Sequence, residues 1–498
     1  MFTMRIFFFL ISLFSAVNCN PENNLENGPM VEIFFKVLHQ MTSINPDFAT
    51  FNKLKQDYTS AFREKQDVAA ADLPYFKILP KYLGSFPPGK SETFLNFTCF
   101  QTIKIETVPI GGGAVELTIE HEDPDNILCH RSFIVSTGST FQIDEFFGAG
   151  KKTYTIQSTF TSVDTWDIFT RGPRVFMYPM TPEDLTYNLA ATAALFEPVL
   201  TEGVSENFAN MNREFLSSYA GIKMELNDGP GVLHIPEELI GNGDTFNIMR
   251  LDGLDPMIAW AMGAATGHTG IALWRNETLY ICESNAKSAY WPVNGIQCNL
   301  YKDWIEYGRR NGYNVVWVPL KEEIKSKFDS DLAWDLIETW YGIDYGYEVV
   351  LMGLLDTMYD NMPCVPTAEG DMCIEPEHFE MLFSYIERVS TTVARVYKPA
   401  MLQRAGVPFN YTLVEAFYEA SLNGLTPEEM YSIPEQDGWL YETTRDGVPE
   451  YSPVAICNVF VCNVWKTAGI FGELVDLINC GETSVNDNYR LNLYKPAS

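Results

Sequence analysis

Cysteine constrains this chain more tightly than any other residue. Ten cysteines occur in 498 residues, and the first, Cys19, closes a segment that reads as a secretory signal peptide over residues 1–19. Arg5 supplies a short basic region, and Ile6 to Val17 is an apolar run of 12 residues. A membrane-spanning helix needs ~20, so the run is expected to be a leader. Cleavage after Cys19 leaves nine cysteines on an oxidising route. Nine is odd, so at least one thiol stays free or pairs with another chain. Proximity in sequence points to Cys99 with Cys129, Cys282 with Cys298, Cys364 with Cys373, and Cys462 with Cys480. The sequence leaves that connectivity open. Under the simplest scheme Cys457 is the thiol left over.

Three acceptor triplets agree with a lumenal or secreted glycoprotein: Asn96-Phe97-Thr98, Asn276-Glu277-Thr278 and Asn410-Tyr411-Thr412. The formal charge of −31 repels phosphates, which argues against nucleic acid and anionic membrane surfaces as partners. No later stretch is long and apolar enough to span a bilayer, so no stable membrane insertion is expected. The same charge suits a secreted protein or the lumen of a lysosomal or endocytic compartment.

A chain of this length calls for more than one core. Residues 20–185 read as an N-terminal domain, first helical and then β-rich. Val31 to Leu38 and Phe48 to Phe62 carry helical apolar stripes. Val115–Ile119, Ser132–Ser136 and Thr153–Ile156 are strand candidates between Gly-rich turns. His121 and His130 lack metal-ligand spacing and read as surface histidines. Residues 186–234 read as a helical connector, broken at Gly229-Pro230-Gly231. In the remaining residues, 235–498, strands are expected at Asp244–Arg250, His268–Trp274, Leu279–Cys282 and Tyr313–Val318. Helices are expected at Met257–Met262, Tyr301–Arg310, Lys321–Trp340 and Cys457–Ala468, with an acidic insertion around 350–440.

The chemistry lies in this C-terminal part. Cys457 opens an apolar helix, where exposed N–H groups and the helix dipole favour a thiolate. Its own N–H would point at the oxyanion of a tetrahedral intermediate. His268 on a strand is the candidate base, and Glu283 on the next strand is the candidate partner that fixes the imidazole tautomer. Cys462 lies five positions after Cys457, faces elsewhere on the helix and fits a disulfide. There is no phosphate loop, no Cys-x-x-Cys pair, no His-Glu-x-x-His helix and no Gly-x-Ser-x-Gly elbow. Asp252-Gly253-Leu254-Asp255 lacks the later acids of a calcium loop and reads as a turn. No metal and no cofactor is expected.

Taken together, Gly243-Asp244, His268-Thr269-Gly270-Ile271, Glu283 in Cys282-Glu283-Ser284, and Cys457-Asn458-Val459-Phe460-Val461 form a pattern. It resembles the NlpC-like papain-fold hydrolases, and more closely their circularly permuted relatives, the YiiX-like and lecithin:retinol-acyltransferase-like group. In that group the cysteine helix follows the histidine strand, as here. Gly342-Ile343-Asp344-Tyr345 is similar to the segment that precedes the nucleophile in the family, which makes Tyr345 a candidate binding residue. The resemblance covers about 235 to 485. It implies an α+β, permuted papain-like domain with an antiparallel sheet and a nucleophile helix, following the helical and β-rich N-terminal domain.

The expected function is a secreted or lysosomal cysteine hydrolase. It would cleave an amide through Cys457, His268 and Glu283 by way of an acyl-enzyme. The resemblance implies a small peptide amide as first substrate and a lipid acyl chain, as hydrolase or acyltransferase, as second. The competing expectation is an inactive secreted binding glycoprotein on the same scaffold, in which Cys457 has no need to react. A third is a structural protein of an extracellular coat.

Overall fold

Antiparallel strands that send apolar residues to a shared interior make the first part of the described chain a pair of facing sheets. The computed structural model describes residues 81–97, 100–122, 130–147, 149–178, 203–217, 221–224, 235–262, 264–286, 293–349, 364–367, 370–373, 376–389, 394–395 and 397–495. The expected leader, the helical stripes before residue 80, and Cys99 and Cys129 lie outside the described residues, as do the side chains of Asn96, His130, Cys364 and Cys373. The architecture is mixed α+β, and its sheets are antiparallel. No helix among the described residues is long and apolar enough to cross a membrane.

Eight strands build the two facing sheets: β1 (Lys81–Ser85), β2 (Ser91–Phe97), β3 (Phe100–Gly111), β4 (Ala114–Glu122), β5 (His130–Ser136), β6 (Phe141–Phe147), β7 (Gly150–Gln157) and β8 (Arg174–Tyr178). One sheet runs β1-β8-β5-β6 and the other β2-β3-β4-β7. Ile103, Ile105, Leu117 and Ile119 from the second meet Phe133, Val135, Val175 and Met177 from the first in one core. His121 corrects the sequence reading. It shares the inward parity of Ile119 on β4, so it is buried against the rings of Phe100 and Phe146 rather than exposed. The first sheet is covered on both faces, because Ile134 and Phe176 turn the other way into the larger core of the molecule.

The expected connector is partly described. Helix α1 (Glu206–Phe215) is N-capped by Ser205 and buries Phe208, Met211 and Phe215 in the larger core. A five-stranded sheet follows: β9 (Thr245–Arg250), β10 (His268–Arg275), β11 (Thr278–Asn285), β12 (Gly295–Leu300) and β13 (Tyr313–Val318), ordered β12-β11-β10-β9-β13. Between β9 and β10 runs α2 (Leu254–Met262), and between β12 and β13 runs α3 (Tyr301–Arg310). Ile271, Leu273, Cys282 and Ile296 face the larger core. Phe246, Ile248, Ala272 and Ile281 face the other way, under Tyr301 and Trp304 of α3.

The single helix expected over Lys321–Trp340 is two. Helix α4 (Glu322–Lys325) ends early, and α5 (Ser330–Trp340) starts afresh where Asp329 accepts the N–H groups of Asp331 and Leu332. An aspartate that satisfies two first-turn donors is a helix start, which overrides the continuous apolar stripe. In the insertion, β14 (Cys364–Thr367) and β15 (Gly370–Cys373) form a hairpin that places Cys364 opposite Cys373. Helices α6 (Pro376–Val389), α7 (Lys398–Ala405), α8 (Leu413–Leu422) and α9 (Pro427–Tyr431) then send Phe379, Phe383, Leu402 and Phe417 into the larger core. The insertion is thus part of the main body.

A buried ion cluster joins α6 to the facing sheets. Glu380 accepts from Arg171 and from Arg174, at 2.9 Å for the latter, while Arg174 also reaches Asp167 at 2.8 Å. The hairpin β16 (Tyr441–Arg445) and β17 (Val448–Ser452) leads into α10 (Cys457–Thr467), and α11 (Val485–Arg490) closes the chain.

Candidate active site

Helix α10 is buried on every side, with Cys457 to Trp465 all buried and Asn458 and Asn463 the polar residues among them. It packs on β10, β11 and α5. Its position is fixed from both ends. Trp465 donates its indole N–H to the Gly243 carbonyl at 3.0 Å, and the Cys462–Cys480 disulfide ties the helix to the turn that follows it. Gly243 has φ 85°, and a Cβ there would stand 2.8 Å from Leu320 Cδ1, so only glycine fits this turn. Its neighbour Asp244 is fully buried and accepts from the backbone of Gly241 and Leu320, from the Trp317 indole and from Lys325. The Gly-Asp pair therefore joins the sheet to helix α10, and its carboxylate is saturated by structural donors.

At the other end, the Ala455 carbonyl accepts from Ser284 Oγ at 2.7 Å and from the Gly346 N–H at 3.1 Å. One carbonyl, two residues before Cys457, thus gathers β11 and the segment that carries Tyr345. Ile456 at the N-cap offers no capping side chain to the first-turn N–H groups. Asn458 holds the start of the helix down by donating to the Thr483 carbonyl.

Cys457 is buried and is the free cysteine among the described residues. Cys282 is bridged to Cys298, its direct partner across β11 and β12, and Cys462 is bridged to Cys480. Around the Cys457 sulfur the structure collects His268, Glu283 and Tyr345. His268 opens β10, and its Nε2 lies 2.9 Å from Glu283 Oε2. The Cys457 side chain also acts on this imidazole, and with Nε2 taken by Glu283 the nitrogen left to face it is Nδ1. Glu283 is wholly buried, and its second oxygen accepts the Trp304 indole N–H at 3.2 Å. Both carboxylate oxygens thus have donors, one of them a rigid indole from α3.

Electrostatics follow from these contacts. Burial opposes the charged form of His268, but the Cys457 sulfur and Glu283 outweigh it and hold the imidazole well above the usual histidine value. Tyr345 is a second group on which Cys457 acts. Burial, then the charges of Cys457, Tyr347 and Asp255, push its phenol well above the usual range, so it stays a donor. Near the sulfur the walls are apolar: Ala264, Val485 and half-buried Ile258.

Tyr345 lies 112 residues before Cys457 in the chain, yet its phenol is among the groups on which the Cys457 sulfur acts. The intervening insertion folds into the core and lets the two ends meet. Sequence reasoning missed Trp304 and Ser284. Trp304 reads as one more apolar residue of an amphipathic helix, and only the sheet register shows which carboxylate it meets. Ser284 follows Glu283 directly and carries no signal of its own. Of the three acceptor triplets, Asn276 and Asn410 are exposed, the former at the tip of the β10–β11 hairpin. Among the described residues no group of three His, Cys, Asp or Glu side chains is arranged to hold a metal ion. No protein-family model matches the chain, no curated protein matches its sequence, and no solved structure matches its fold.

Proposed function

We propose that this chain is a cysteine-dependent acyl hydrolase of the permuted papain-like class, acting in the secretory or lysosomal lumen. One observation carries the reading. A single imidazole holds a buried carboxylate on Nε2 at 2.9 Å and is acted on by Cys457, the free cysteine of the described residues. That is the order of groups by which a thiol is activated and its base is oriented.

In this reading Cys457 gives its proton to His268 Nδ1 and attacks an acyl carbon as thiolate. The carbonyl oxygen gains negative charge, which the Cys457 N–H and the Tyr345 hydroxyl stabilise. His268 returns the proton to the leaving amine as the C–N bond breaks, leaving a thioester on Cys457. Water then attacks the thioester, giving its proton to His268, and the acid departs as the thiol is restored. Glu283 holds the imidazole in the tautomer that faces the sulfur and balances the imidazolium. The order of histidine strand, carboxylate strand and C-terminal cysteine helix supports the permuted class. The two disulfides support a lumenal location.

A small peptide amide is the first substrate class. The apolar neighbours of Cys457 favour a second, a lipid acyl chain, because Ala264, Val485 and Ile258 offer such a chain no polar partner.

The test is labelling and turnover on the mature protein. Iodoacetamide at pH 5–6 is expected to alkylate Cys457 faster than an ordinary peptide thiol. Cys457→Ala is expected to abolish hydrolysis of any amide or ester found in a substrate screen. Undiminished turnover in Cys457→Ala, or a sulfur that reacts no faster than a free thiol, sinks the reading.

A further inference from the structure

Beneath the start of β10 lies a carboxyl group that the mechanism above does not use. Asp255 is in the first turn of α2 and is buried. Its Oδ2 accepts the Arg250 backbone N–H at 2.7 Å. Gly267, the residue before His268, lies directly on it: a Cβ at Gly267 would fall 2.4 Å from Asp255 Cα and 2.6 Å from its Cγ. No side chain can come between this carboxyl and the backbone that carries the imidazole. Its charge acts on His268 and on Tyr345, the two groups on which Cys457 also acts.

We propose that Asp255 is a further ionisable member of this site, acting through His268 and Tyr345 rather than on substrate, and setting the upper pH limit of the chemistry at Cys457. The inference rests on the hydrolase reading. Glu283 already supplies the anion that the imidazolium needs. A second carboxylate on the side of Tyr345 adds negative charge where the thiolate and then the acyl oxygen must carry theirs, so its ionisation opposes both. The site works while Asp255 keeps its proton.

The surroundings of Asp255 are built to keep that proton. Burial and the neighbouring Asp252 raise its pKa to about 7, against the smaller opposing effects of the Arg250 N–H, His268 and the Arg250 charge. Asp252 is held in place by Arg250 Nη1 at 2.6 Å, and it caps α2 by accepting from Leu254 and Asp255 N–H groups. Among the described side chains of α1 and α11, which pack on α2, the charges are engaged elsewhere or exposed. On α1, Arg213 is bonded to the Met224 carbonyl and Glu206 and Glu214 are exposed; on α11, Asp487 is bonded to the Ser484 cap.

The experiment measures iodoacetamide alkylation of Cys457 in the full mature protein from pH 5 to 8.5, read by mass spectrometry of the Cys457 peptide. The wild-type rate is expected to be high and level at acid pH and to drop roughly tenfold with a midpoint near 7. Asp255→Asn keeps an acceptor for the Arg250 N–H and is expected to lose the drop. Asp252→Asn leaves Asp255 in place and is expected to move the midpoint to lower pH, because it removes a charge that favours the protonated form. Thermal unfolding at pH 5 shows whether each variant is folded. Superimposable pH curves for wild type and Asp255→Asn overturn the proposal alone. If Asp255→Asn does not fold, an unmoved midpoint in Asp252→Asn overturns it. Slow alkylation of the wild type at pH 5 overturns the hydrolase reading and this proposal with it.

Discussion

Gly270 stands beside Glu283 on the neighbouring strand, where a side chain would press on Ile281 and touch Glu283. A Cβ on Gly270 would lie 3.0 Å from Ile281 Cγ2 and 3.7 Å from Glu283 Cβ. A glycine inside a strand often marks such a close approach. Gly270→Val is therefore expected to leave a folded protein, destabilised by ~1–3 kcal/mol through overpacking. It should displace Glu283 and slow Cys457 alkylation at pH 6 by about the same factor as Glu283→Ala. Wild-type alkylation in a folded Gly270→Val protein would show that the carboxylate does not need this space.

Glu283→Gln keeps the shape of the partner and removes its charge. Turnover should fall on the order of 10²–10⁴-fold, the range for loss of positioned acid–base chemistry. The His268 titration should also move down. In the folded protein that imidazole sits well above its ordinary value, so its protonation stabilises the fold fully below about pH 6.5 and loses its effect as pH rises through the elevated value. Glu283 is one cause of the elevation, so NMR titration of His268 in Glu283→Gln should give a lower midpoint. An unchanged midpoint would remove Glu283 from the role assigned to it.

Trp304→Phe removes the indole donor from Glu283 Oε1 and keeps an aromatic ring in the core. One buried acceptor is left without its partner, which costs ~1–3 kcal/mol. The expected signature is a loss of kcat greater than the change in KM, because Trp304 acts on the carboxylate and not on substrate. A change confined to KM would place Trp304 in substrate binding instead.

Glu348 lies three residues after Tyr345, and it is buried with Oε2 unpartnered among the described residues. Burial raises its pKa to about 7, with Asp344 and Glu442 adding to the effect and Arg395 opposing it. A raised carboxyl contributes stability that is complete below its unfolded value near 4.5 and is lost as pH rises through about 7. Glu348→Gln should therefore match wild type at pH 4 and exceed it by roughly 2–3 kcal/mol at pH 8 in denaturant unfolding. Parallel stability curves across that range would exclude the effect.

Much of the C-terminal sheet was legible because its strands obey simple rules. β10 and β11 form a hairpin around Arg275-Asn276-Glu277-Thr278, and α10 carries the apolar run Val459, Phe460, Val461, Val464 and Trp465. Both patterns are local, and local patterns survive in sequence. β12 was not legible, because Gln297 and Asn299 interrupt its apolar residues and only pairing with β11 makes it a strand. The facing sheets were seen as scattered strands. Their order depends on pairings such as β1 with β8, about ninety residues apart, which no short motif encodes. The candidates Cys457 and His268 were legible because each opens an element, and Glu283 because it lies on the next strand after His268. Asp255 and Trp304 were not, since an acid in a helical first turn and a tryptophan in an amphipathic stripe are what ordinary helices contain.

The sheet β1-β8-β5-β6 has a further consequence, because Ile134 and Phe176 on its second face belong to the main core. Expressed alone, the segment ending near residue 180 would turn an oily wall outward and leave the Arg171 and Arg174 guanidiniums without Glu380. Such a fragment should clump or stay unfolded, so excising the suspected hydrolase by cutting at this seam would ruin both pieces.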